Sequence, residues 1–254
     1  MGMSEAGARI SAVLITRDEA ADLPDCLASL AFCDEIVVVD GGSTDATVAI
    51  AEAAGARVVS APDWPGFGLQ KQRALDLATG DWVLSIDADE RVPDALAAEI
   101  RRAIGRGDVD GFRLNRRSTF LGRFLLHGGW YPDRIVRLGR RGRARFTPDV
   151  VHERLEVDGA IGDLDADLVH HSYRSISEVL EKQRRYALAS AEIRRARGKR
   201  GGLGRALSRS VFAFVRHYLI KRGFLDGAHG FVAAVAKAQE TFWRWLAVGW
   251  EDGA

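Results

Sequence analysis

The stretch Asp-Trp-Val-Leu-Ser-Ile-Asp-Ala-Asp-Glu, residues 81–90, constrains this chain more than any other. Trp82 to Ile86 is short, mostly apolar and bounded by Gly80-Asp81 and by acids, the pattern of a buried strand. It ends in Asp87, Asp89 and Glu90, with Pro93 soon after. In an open α/β sheet, ligands bind at the carboxyl ends of the strands. Strand alternation puts Asp87 and Asp89 on the same side of the chain. Two such carboxylates suit a hard cation, Mg²⁺ or Mn²⁺, which takes its other oxygens from substrate phosphates. The competing reading is an acidic N-cap for a helix over residues 94–104.

The rest of the first half supports a sheet. Residues 10–16 and 35–40 read as buried strands, and 58–60 as a short third one. Helical spacing appears over 20–30, with Pro24 in the first turn, and again over 46–54 and 70–79. Strands alternating with helices imply a mostly parallel, doubly wound α/β sheet. Beyond residue 110 the pattern loosens. Strands are expected at 111–115, 134–138, 150–154 and 169–173, with a Gly- and aromatic-rich loop at 126–133. From Ser177 on, three helical stretches (178–197, 203–221 and 228–250) are separated by Gly-rich breaks.

The chain has 254 residues, 47% of them hydrophobic, enough for one sizeable core or a core with an appendage. Net charge is +1, yet thirteen Lys/Arg against two acids fall between Glu181 and Arg222, and six arginines without an acid lie in 134–145. Cys26 and Cys33 fit no metal or redox spacing, and reduced thiols suit the cytosol. The first nine residues are too short and polar for a signal peptide, and no apolar run is long enough to span a membrane.

Several residues carry candidate chemistry. Asp40, at a strand end before Gly41-Gly42, suits a nucleoside contact near backbone N–H groups; a turn-forming Asp is the plainer reading. No dinucleotide fingerprint or P-loop occurs. Lys71 reads equally as a diphosphate contact or a solvated residue, and Arg73 as a solvated helix face. Glu153 offers a carboxylate general base, with Asp133 its competitor and a salt bridge its plainer reading. His170 reads as structural or as one metal ligand. In the tail, Val211, Phe212, Val215, Tyr218 and Leu219 share an apolar face beside Arg209, Arg216, Lys221 and Arg222. That combination fits a helix on an anionic bilayer or ordinary packing, and no motif supports a nucleic-acid partner.

Taken in order, residues 10–19, Val37-Val38-Val39-Asp40-Gly41-Gly42-Ser43-Thr44-Asp45 and 81–90 resemble the family 2 glycosyltransferases of GT-A fold. More narrowly, the chain looks like the lipopolysaccharide-core group related to the bacterial β-1,4-glucosyltransferase that modifies inner-core heptose. Gln70-Lys71, Gly129-Trp130-Tyr131-Pro132, Val151-His152-Glu153 and His170 to Tyr173 carry the likeness further. The resemblance implies a GT-A catalytic domain over 8–175 and a helical, basic extension over 176–254. It implies a UDP-sugar donor, a divalent metal, and single-displacement transfer with inversion to a lipid-anchored saccharide. The expected site is the inner face of the bacterial inner membrane, with the enzyme cytoplasmic and peripheral. Carried over, Thr16, Glu19, Asp40, Lys71 and Asp87 contact the donor; Asp87, Asp89 and His170 hold the metal; Glu153 or Asp133 is the base. The chain departs from the pattern at Arg17-Asp18-Glu19, where relatives carry Asn before Glu, and at Gln72, where Asn is frequent. The polymer-synthase motif Gln/Arg-x-x-Arg-Trp is absent. A sugar-1-phosphate nucleotidyltransferase and a non-catalytic membrane-associated binding protein are the alternatives.

Overall fold

The apolar runs at 10–16 and 35–40 form strands β1 (Ile10–Thr16) and β2 (Glu35–Asp40), all seven residues of β1 being buried. A strand covered on both faces needs a nearly continuous apolar run, which these sequences supply. In this computed structural model, which describes residues 7–148 and 153–250, they join β3 (Arg57–Ser60) and β4 (Trp82–Ser85) in parallel. Helices α1 (Leu23–Ser29), α2 (Thr47–Ala53), α3 (Phe67–Asp76) and α4 (Asp94–Ala103) alternate with the strands. α3 starts three residues earlier than the sequence pattern predicts. Gly66, at φ +119°, turns the chain into it.

The expectation of a mostly parallel sheet needs correction in the second half. Added there are β5 (Glu90–Arg91), β6 (Gly111–Phe120), β7 (Arg123–Phe124), β8 (Asp133–Arg140) and β11 (Ile161–His170). The sheet order is β3-β2-β1-β4-β8-β6-β11-β5, with β7 paired to β6. β8 runs antiparallel to β4, β11 antiparallel to β5, and β7 antiparallel to β6. The sheet is therefore mixed. β9 (Ala144–Phe146) and β10 (Leu155–Val157) make a separate two-stranded ribbon. The strand expected at 150–154 falls largely on residues outside those described. Trp82, Phe112, Leu14, Leu84 and Leu114 lie at the centre of the main core.

Two compact units result. The first holds the chain up to Arg116 and Arg134–His170. The second holds Arg117–Asp133 and the chain from His171 on, so 117–133 groups with the helices rather than with the remainder of 8–175. Its helices are α5 (Ile176–Ala196), α6 (Leu203–Val215) and α7 (Gly227–Trp250). Ser175 caps α5, its hydroxyl accepting from Glu178 N–H at 3.2 Å. The single helix expected over 203–221 changes to a π-helical turn at Arg216–Ile220, and a 3₁₀ turn follows at Gly223–Asp226. Within this unit Trp130 packs on Phe120 and Tyr173, with ring centroids 5.5 and 5.9 Å away. The aromatic loop thus has a packing role there. No helix among the described residues is long and apolar enough to cross a membrane.

Candidate active site

Parallel pairing sets Thr16 beside Asp40 at the carboxyl ends of β1 and β2. Asp40 is buried, and one carboxylate oxygen accepts from the backbone N–H groups of Gly42 and Ser43, each at 2.9 Å. The other accepts from the Thr16 hydroxyl at 3.2 Å. The turn-forming role of Asp40 is therefore realised, and Thr16 is part of it. The loop after β1 locks onto the loop after β2. Asp18, at φ +56°, accepts from Thr44 N–H at 2.7 Å, and Glu19 N–H donates to the Thr47 hydroxyl at 2.7 Å. Thr16, Glu19 and Asp40 are thus gathered into two interlocked loops.

The carboxylates after β4 do not cap α4. That helix has Pro93 at its N-cap and no side-chain cap hydrogen bond. The acids instead enter a chain of alternating charge. Asp87 pairs through one oxygen with Lys71 at 2.8 Å and through the other with Arg137 at 2.5 Å. Lys71, on α3, also pairs with Glu153 at 2.9 Å. Arg137, on β8, also reaches the fully buried Glu90 at 2.7 Å. Glu90 closes the circuit by accepting from Asp87 N–H at 2.9 Å. Beneath this loop, the buried Cys26 thiol lies 3.5 Å from the Asp87 carbonyl. Burial holds that thiol protonated, well above the ordinary range.

Burial alone would raise the Asp87 pKa, but Arg137 and Lys71 outweigh it and hold the carboxyl well below the usual range. Arg137 responds in the matching sense: burial lowers its pKa, but Asp87 and Glu90 outweigh burial and hold it above the ordinary range. Removing one partner of a buried ion pair leaves an uncompensated charge. Arg137→Met should therefore cost about 3–5 kcal/mol in urea unfolding near neutral pH. Because the folded pKa of Asp87 is depressed, its contribution is fully present above the unfolded value. It is lost as pH falls through the folded one. The gap between wild type and Arg137→Met should accordingly narrow on strong acidification. A gap unchanged down to acid unfolding would contradict the clamp.

The metal expectation divides on this geometry. β5 and β11 pair antiparallel with His170 opposite Glu90. This register brings His170 Nε2 to 3.2 Å from Asp89 Oδ2. Both oxygens of Asp87 are engaged by cations, so Asp87 stands in the clamp rather than with the other two. Among the described residues no cluster of three or more His, Cys, Asp or Glu is arranged to hold an ion. One carboxylate and one imidazole fit a hard divalent ion that completes its shell with diphosphate and water oxygens.

Lys71 is nearly buried and doubly paired, not a solvated helix residue. Glu153 does make a salt bridge, but to Lys71 rather than to an arginine. Asp133 begins β8 and groups with the helical unit. His152 lies outside the described residues. Arg73 is half-buried and paired with the exposed Asp63 at 2.8 Å. Gln72 accepts from Phe146 N–H at 2.7 Å, which ties α3 to the β9–β10 ribbon. Sequence reading gave no role to Arg137 or to Glu90. The available signal was alternation in 134–138, which puts Arg137 on the opposite face from Val136 and Leu138.

The sequence matches the family described as Glycosyl transferase family 2 over residues 11–154, more than half of the chain. The chain belongs to glycosyl transferase family 2. The match spans the loops of Thr16 and Asp40, the carboxylates after β4 and Glu153. The chain is 32% identical to the lipopolysaccharide core biosynthesis glycosyltransferase LpsC of Rhizobium meliloti (strain 1021), over 92% of this chain and 89% of that protein. It is also 32% identical to an uncharacterized glycosyltransferase of Rickettsia felis, over 93% and 88% of the two chains. Among solved structures, glucosyl-3-phosphoglycerate synthase from Mycobacterium tuberculosis, in complex with Mn²⁺, UDP and glucosyl-3-phosphoglycerate, aligns with a TM-score of 0.37. Its identity is 32% over 46% of each chain. Its family membership makes this protein a glycosyltransferase, and its fold is α/β with a mixed sheet and a helical carboxyl-terminal region. The nucleotidyltransferase alternative gives way to that assignment.

Proposed function

We propose that this family 2 glycosyltransferase is inverting, taking a sugar from a UDP-sugar to a lipid-anchored saccharide of the lipopolysaccharide inner core. The name of the Rhizobium meliloti relative, similar along nearly its whole length, supports the acceptor class. The observation that carries the chemistry is the Lys71 ammonium, held between Asp87 at 2.8 Å and Glu153 at 2.9 Å. Donor-side and base-side carboxylates are thereby fixed to one cation.

In this reading Thr16, Glu19 and Asp40 shape the nucleoside end, and Lys71 and Asp87 the diphosphate and ribose. Asp89 and His170 would hold a divalent ion, Mg²⁺ or Mn²⁺, which when bound neutralises charge on the departing diphosphate. Glu153 takes the proton of the acceptor hydroxyl as its oxygen attacks the anomeric carbon. The bond from that carbon to the diphosphate breaks, and its electron pair leaves with the nucleotide. Attack from the opposite face turns an α-linked donor into a β-product. Residues 8–175 carry this chemistry. The extension from 176 on keeps the enzyme cytoplasmic and peripheral, beside the inner leaflet where the acceptor sits.

A thermal-shift panel of nucleotide sugars, with and without Mn²⁺, tests the donor side. A ligand that binds the folded state at about 100 times its Kd stabilises by about 2.7 kcal/mol. UDP-sugars with Mn²⁺ should raise Tm most. Indifference to every nucleotide sugar, with metal present, would contradict the proposal.

A further inference from the structure

The helical unit leaves one face that its own packing does not use. Along α6, Leu203, Leu207 and Val211 recur every four residues and are all exposed, Val211 to 63%. The buried residue of this helix is Ala206. Arg205 and Arg209 lie on another flank, their guanidinium groups 5.5 and 5.8 Å from the Trp245 ring centroid. Leu203, Leu207 and Val211 thus form a stripe apart from these two arginines. In the turns that follow, Leu219, Ile220 and Leu225 are exposed as well, Ile220 to 65%. Their backbone is well anchored, because Tyr218 packs edge-on against Phe224 and Phe231 at 6.3 and 5.5 Å. Of the five residues expected to share an apolar face, Tyr218 is therefore an anchor rather than part of the exposed surface.

Charge selects the occupant. From Arg197 to Gln239 the chain holds nine Lys/Arg and a single acid, Asp226. Asp226 is buried and accepts from the N–H groups of Leu126 and His127, at 3.3 and 2.8 Å. The face therefore offers apolar side chains bordered by cations, with no exposed carboxylate among them. A second copy docking through the same face would set cations against cations. An anionic leaflet meets them with phosphates, while helices of this composition lay their apolar side chains among acyl chains.

We infer that residues 203–226 form a docking surface for an anionic bilayer. Leu207, Val211, Ile220 and Leu225 enter the acyl boundary, and Arg216 and Arg222 meet the head groups. The inference rests on the reading of the acceptor as lipid-linked and adds the surface that reaches it.

Flotation of the full chain tests it, using phosphatidylcholine vesicles with and without phosphatidylglycerol, at low and high salt. The parent should float with the anionic vesicles, less at high salt, and little with neutral ones. The Ile220→Ser/Leu225→Ser double variant should float about tenfold less well. Ile161→Ser, an exposed change in the catalytic unit, should float like the parent. A polarity-sensitive dye on Ile220→Cys should shift to the blue with anionic vesicles, against a background from Cys26 and Cys33 read on the parent. The surface is wrong if the double variant floats like the parent, if the dye does not respond, or if binding ignores lipid charge and salt. Transfer to a water-soluble core saccharide, without vesicles, separates the two readings. It should stay within about twofold of the parent in the double variant, because soluble acceptor does not need the membrane. Vesicle binding without any sugar transfer would sink the catalytic reading and leave the surface standing.

Discussion

Glu153→Gln should slow sugar transfer by about 10² or more while leaving donor affinity nearly unchanged. The substitution keeps the shape of the side chain and removes its capacity to take a proton. Donor affinity should survive because Lys71 keeps its 2.8 Å pair with Asp87. The readouts are single-turnover transfer and donor titration on the same preparation. Equal loss of both would make Glu153 a structural support for Lys71 rather than a base. A normal rate in Glu153→Gln together with an inactive Asp133→Asn would move the assignment to Asp133.

Asp89→Ala should abolish metal-dependent transfer with the fold intact. Asp89 is partly exposed, lies 3.2 Å from His170 Nε2, and belongs to no apolar core cluster. Its loss removes the carboxylate proposed to hold the metal with His170 and leaves the Asp87–Arg137–Glu90 clamp in place. A melting curve like that of the wild type should accompany the loss. Activity within about tenfold of wild type with Mg²⁺ or Mn²⁺, equivalent to about 1.4 kcal/mol of barrier, would show that Asp89 does not hold the ion.

The sequence showed the first half of the fold more clearly than the second, for a physical reason. β1 and β2 are buried on both faces, so their apolar runs are continuous and their bounds match the reading. β11 is different. Asp163, Asp165 and Asp167 alternate with Leu164, Ala166 and Leu168, and Leu164 and Leu168 are buried. Acids on one face made that strand look like loop, so only its end at Val169-His170 was legible. β6 was shortened in the same way by Arg113, Arg116 and Arg117, of which Arg113 pairs with Asp163 at 2.7 Å. Charged side chains on the two strands compensate each other, and a single sequence shows the charges without the pairing.

The candidate site divides similarly. Asp40, Asp87, Asp89, Lys71 and Glu153 could be singled out because strand ends and acids mark them. Which of them touch could not, since Lys71 meets Glu153 across 82 positions of chain. Arg137 was hidden among six arginines in 134–145, and burial against Asp87 and Glu90 is what distinguishes it.

The most direct measurement is release of UDP from a UDP-sugar, followed with and without a lipopolysaccharide-core saccharide acceptor, in chelator and after Mn²⁺ or Mg²⁺ is restored. The reading of this site predicts release that needs the acceptor, stops in chelator and returns with the metal. Release at the same rate in chelator, or none with any nucleotide sugar and core acceptor, would contradict it.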